Sequence, residues 1–174
     1  MNRYISIFVF VFAAASLQPL HADIVVSFVE SAPKDRFVVE NRGACPFDDL
    51  IVEIDLSESA GRLIFDTTAS GAGVEVFQPF EVAEGEVQLL SAAVVNDGDR
   101  VLTVKIQNLL PESTAVFTID VDDQLPQSEL GMIRVTGSEM ENSLASITFW
   151  EEQLFTAVFN ANSVAIVPSP ACQA

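Results

Sequence analysis

The chain has 174 residues, with 25 acidic against eight basic and a formal charge of −17. That charge argues against nucleic acid and anionic lipid as partners and favours cations and basic surfaces; it also serves solubility. A hydrophobic content of 49% excludes a disordered acidic tail and predicts one folded domain.

The N-terminus has the layout of a secretory signal. Arg3 gives the positive start, Ile5 to Leu17 is almost wholly apolar, and Leu20-His21-Ala22 precedes Asp23. Cleavage is expected after Ala22, with Ala15 as the alternative. The apolar run is shorter than the roughly 20 residues of a membrane-spanning helix. Removing these 22 residues and one arginine from 174 residues at −17 leaves 152 residues at −18. His21, the only histidine, leaves with the signal. The mature chain then lacks the commonest general base, so serine or cysteine nucleophiles have no imidazole to activate them. A non-enzymatic, secreted, periplasmic or envelope protein is expected, with no membrane span in the mature chain.

From Asp23 onward nearly every segment is a predicted strand: Ile24 to Phe28, Arg36 to Glu40, Leu50 to Leu56, Leu63 to Asp66, Val74 to Phe80, Val87 to Val95, Val101 to Leu109, Ala115 to Asp122, Met132 to Val135, Leu144 to Trp150, Leu154 to Phe159 and Val164 to Val167. Alternation is clearest in two of them. Leu102, Val104 and Ile106 share one face against Thr103, Lys105 and Gln107; Phe117, Ile119 and Val121 share one face against Thr118, Asp120 and Asp122. Asn96-Asp97-Gly98-Asp99 is a predicted hairpin turn, and Gln124 to Gly131 is the most loop-like stretch. The expectation is all-β: one antiparallel sandwich over residues 23–167, about ten to twelve short strands, jelly-roll-like in one form, followed by an irregular tail at 168–174.

The strongest chemical signal is Asp120-Val121-Asp122-Asp123. Calcium takes about six to eight oxygen ligands, and Asp120 and Asp122 project from one strand face with Asp123 at its end. Asp48, Asp49, Asp97, Asp99, Glu139 and Glu141 are the candidates to complete a calcium shell. The spacing is not that of an EF-hand loop, and the competing reading, a solvated acidic strand edge, is favoured over calcium. Paired carboxylates also serve glycosidases, but Trp150 is the only large ring for stacking a sugar after the signal. The phenylalanines fall at strand spacing and belong to a core. Cys45 and Cys172 have one possible intramolecular pairing in an exported chain; free thiols, or attachment to a partner, is the alternative.

Three stretches together, Gly61 to Asp66, Gly71 to Phe80 and Phe117 to Asp123, resemble the aggregation factor core proteins, the family named from the sponge proteoglycan of cell adhesion, which has exported bacterial relatives. The similarity spans roughly Val25 to Glu141. It implies an extracellular, non-catalytic role in adhesion or matrix, with calcium and polysaccharide or a cell-surface or matrix protein as partners. It carries over no binding residue. The alternative expectation is a secreted carbohydrate-binding or weakly hydrolytic protein.

Overall fold

The computed structural model describes residues 23–172 apart from 32–33, 75, 91–94, 129 and 132–133. The expected signal lies outside the described residues. Twelve antiparallel strands form a β-sandwich: β1 (Asp23–Val29), β2 (Arg36–Asn41), β3 (Phe47–Asp55), β4 (Ile64–Asp66), β5 (Glu81–Glu84), β6 (Val87–Leu89), β7 (Val101–Leu109), β8 (Thr114–Thr118), β9 (Asp120–Asp122), β10 (Leu144–Thr148), β11 (Leu154–Val158) and β12 (Val164–Pro168). One sheet has the order β12-β1-β2-β8-β5 and the other β11-β10-β3-β7-β6, while β4 and β9 make a two-stranded ribbon. Among the described residues no helix is long and apolar enough to cross a membrane.

Period-2 patterning produces the core. Ile24, Val26 and Phe28 of β1, Phe37 and Val39 of β2, and Ala115 and Phe117 of β8 meet Leu50, Val52 and Ile54 of β3 and Leu102, Val104 and Ile106 of β7 in one buried cluster. Strand register brings Phe28 opposite Phe37 and Phe37 opposite Phe117. Their rings lie 5.2 and 5.4 Å apart, and Phe65 of β4 joins at 6.5 Å from Phe37. Aromatic contacts at these separations add to plain area burial. They anchor β4 to the first sheet, one residue before Asp66.

Several predicted strands differ, and Ala115 to Asp122 divides into β8 and β9 in different sheets. The described residues of the run Val74 to Phe80 are irregular, because their backbone groups are used singly: Val74 N–H donates to carboxylates, Gln78 N–H donates to the Asp66 carbonyl, and the Gln78 carbonyl accepts from Asp120 N–H. The run from Val87 ends as a strand at Leu89. Near Met132 to Val135 the described residues are irregular, and a single helical turn follows, α1 (Gly137–Met140). A capping box sets that turn: Thr136 Oγ1 accepts from Glu139 N–H while Glu139 Oε2 accepts from Thr136 N–H.

Cys45 and Cys172 form a disulfide, with Cα atoms 5.3 Å apart and a sequence separation of 127. Buried Asn41 prearranges the Cys45 loop. Its Nδ2 donates to the carbonyls of Cys45 and Leu109, and its Oδ1 accepts from Gly43 N–H.

Candidate metal centre

The site grows out of the hand-over from β8 to β9. After Thr118 the chain leaves the first sheet and pairs with β4, with Asp66 opposite Asp120, Phe65 opposite Val121 and Ile64 opposite Asp122. Phe65 and Val121 point into the core. The other face, expected at the solvent, is buried as well: Asp66 is 0%, Asp120 6% and Asp122 1% exposed. One oxygen from each of these three carboxylates lies within 4.8 Å of the others. Like charges directly opposite on neighbouring strands destabilise a sheet, and burial raises that cost.

The loop between β4 and β5 closes over the cluster. Val74 N–H donates to Asp66 Oδ2 at 3.0 Å and to Asp122 Oδ2 at 2.9 Å. Gly73 lies so close to Asp66 that a Cβ there would overlap its carboxyl group, and one at Gly71 would overlap that of Asp97. Asp66 Oδ1 and Asp122 Oδ1 are buried without a hydrogen-bond partner among the described residues. None of the ion pairs among the described residues reaches the cluster.

Burial pushes the carboxyls of Asp120 and Asp122 up to about 7, with Asp66 adding repulsion to both and Asp120 adding it to Asp122. Burial and then the charge of Asp97 raise Asp66. Asp35, 3% exposed, ties this region to Ser31 in the connection between β1 and β2. Its Oδ2 accepts from Val121 N–H at 3.1 Å and its Oδ1 from Ser31 N–H at 3.1 Å. Burial, then the charge of Glu30, pushes Asp35 up to about 8.

Such a cluster either keeps protons or holds a metal ion. Oxygens bound to one calcium lie about 2.3–2.6 Å from it, so oxygens up to about 4.8 Å apart can share an ion. One carboxylate oxygen each from Asp66, Asp120 and Asp122 supplies an all-oxygen donor set of the hard type that Ca²⁺ and Mg²⁺ prefer. The acidic cluster can therefore hold a metal ion.

The other candidate acids occupy several environments. Asp123 is buried; its Oδ1 accepts from Leu125 N–H at 2.9 Å, and it is not one of the three converging groups. Asp97 accepts from Thr68 Oγ1 and raises Asp66 from nearby. Asp99 accepts from Asn96 N–H at 2.7 Å, fixing the turn in which Gly98 has φ +88°. Glu139 is engaged in the capping box, and exposed Glu141 lends its carbonyl to Ala60 N–H. Asp48 and Asp49 sit on β3 of the second sheet, beside Trp150.

Asp66, Val74 and Asp35 are absent from the sequence-based candidates. Asp66 ends the apolar run Leu63 to Asp66, a visible but weak signal; its partner strand is set by register. Gly73→Ala is expected to displace Asp66. A loss of about 1–3 kcal/mol, typical of overpacking, should appear in denaturant melts, together with weaker cation binding by calorimetry.

No protein-family model matches the chain, and no curated protein does. Fold and site define it as an acidic, disulfide-closed β-sandwich with a buried three-aspartate cluster.

Proposed function

We propose that the chain is an exported, non-catalytic module of cell adhesion or of the extracellular matrix or envelope, and that calcium at Asp66, Asp120 and Asp122 locks its fold. The observation that carries this reading is the register that sets Asp66 against Asp120 inside the protein, with two carboxylate oxygens left unpartnered. A cation removes the repulsion and ties the β4–β9 ribbon to the Gly71–Val74 loop. The disulfide suits an oxidising exterior, and the resemblance to aggregation factor core proteins points the same way.

Two measurements test it. Calcium should raise the melting temperature of chelator-treated protein more than magnesium does, because the smaller ion demands stricter octahedral geometry and keeps its waters. Beads coated with the protein should cluster in calcium and disperse on chelation. Stabilisation without clustering would remove the adhesive role and leave the cation site; no stabilisation would remove the site.

A second reading, carbohydrate binding, is favoured by one feature. A cleft of about 540 Å³ is lined by Trp150, Phe149, Asp48 and Asp49 beside the disulfide. An aromatic platform with a few convergent polar groups is a common form of ligand site.

A further inference from the structure

The cleft at the disulfide end is built on the second sheet, and its residues are distinct from the three aspartates of the cluster. Trp150 is half-buried there, packed on Phe47 at 5.3 Å with nearly parallel rings and on Phe149 edge-to-face at 6.0 Å. Those contacts fix the indole as a rigid wall. Asp48 and Asp49 emerge beside it near the start of β3, where Asp49 has a left-handed backbone, φ 55°. A non-glycine residue in that conformation carries strain of the kind that gathers at binding sites.

The charges in the cleft do not balance. Lys105 Nζ lies 2.7 Å from Asp49 Oδ1. No hydrogen bond or ion pair among the described residues holds the Asp48 carboxylate. One negative charge therefore stands free beside an indole in a protein that is acidic overall. Aromatic faces attract cations through the ring quadrupole, and Trp does so best. A neutral sugar could stack on the indole but would leave the Asp48 charge uncompensated; an ammonium group satisfies both.

We propose that this cleft binds an organic ammonium group against Trp150 and Asp48, which makes its ligand a cationic amino sugar. The sugar part rests on the carbohydrate-binding reading above; the ammonium part rests on the cleft alone.

Trp150 is the only tryptophan in the chain, so its fluorescence reports on this site. The test titrates the intact, oxidised protein with a glucosamine oligomer, with the matching neutral N-acetylglucosamine oligomer, and with tetramethylammonium. The expected result is a saturable change with the glucosamine oligomer, little with the neutral one, and weakening with added salt. Asp48→Asn should fold normally, since Asp48 is exposed, and should weaken that binding roughly two- to fivefold, as for an exposed ion pair. Equal binding of both oligomers, unaffected by Asp48→Asn, would overturn the ammonium site and keep carbohydrate binding. Tetramethylammonium binding as tightly as the glucosamine oligomer would keep the ammonium site and overturn the sugar. No response to any of the three would overturn both.

Discussion

Without metal, the protein is expected to lose stability as pH rises from about 4 to about 8, and calcium is expected to restore it at the alkaline end. Asp120 and Asp122 move from a usual 3.8 up to about 7, and Asp35 up to about 8, with Asp66 raised as well. The folded state therefore holds protons that the unfolded chain releases near pH 4. The stability conferred by those protons is complete below the unfolded value and is lost as pH climbs through the folded one. The groups that hold these protons are Asp66, Asp120, Asp122 and Asp35; the charges of Asp97 beside Asp66 and of Glu30 beside Asp35 add to their shifts. Moving one carboxyl from 3.8 to about 7 is worth up to about 4 kcal/mol, or on the order of 10 °C in melting temperature for a domain of this size.

Melting curves with chelator and with calcium at both ends of this range check the prediction. The calcium effect should be large near pH 8 and small near pH 5, where protons already neutralise the cluster. Asp122→Asn sharpens the test. An amide mimics the protonated carboxyl, so the variant should exceed the parent in metal-free stability at pH 8 while losing most of its response to calcium. A flat metal-free pH profile would refute the buried ionisable cluster. An undiminished calcium response in Asp122→Asn would place the ion elsewhere.

Breaking the Cys45–Cys172 bond should cost about 2–5 kcal/mol, the range for a long loop in a domain of this kind. The bond closes 127 residues of sequence separation and holds the segment after β12, whose strand pairs only with β1. The Cys45 side of the bond is held in place by Asn41 and needs little rearrangement to pair. Urea melts of the oxidised protein and of Cys45→Ser/Cys172→Ser should differ in midpoint with the double variant lower. Equal midpoints would show that β12 is held by its sheet contacts alone.

What the chain encodes locally was legible without coordinates. Alternation at Leu102, Val104 and Ile106, and at Phe117, Ile119 and Val121, marks core faces, and all six residues are fully buried. Two cysteines leave only one intramolecular pair, and that pair forms. Asp120 and Asp122, two residues apart on a strand, necessarily share a face, and the structure groups them. Val74 to Phe80 has the residue types of a strand, but its described residues form none, because local propensity yields to the tertiary demand for N–H and carbonyl groups beside Asp66 and Asp120.

Tertiary structure alone decided the third carboxylate and the burial of the whole set. Asp66 lies 54 positions before Asp120, and only the β4–β9 register places them opposite each other. The closing loop, in which Val74 N–H serves two carboxylates and Gly73 leaves room for Asp66, likewise depends on the path of the chain between sheets. Alternation assigns residues to the two faces of a strand, but what covers each face is set by where the strand packs. Here the second face of β9 is covered too, and that turns an acidic strand into a cluster that must hold protons or a cation.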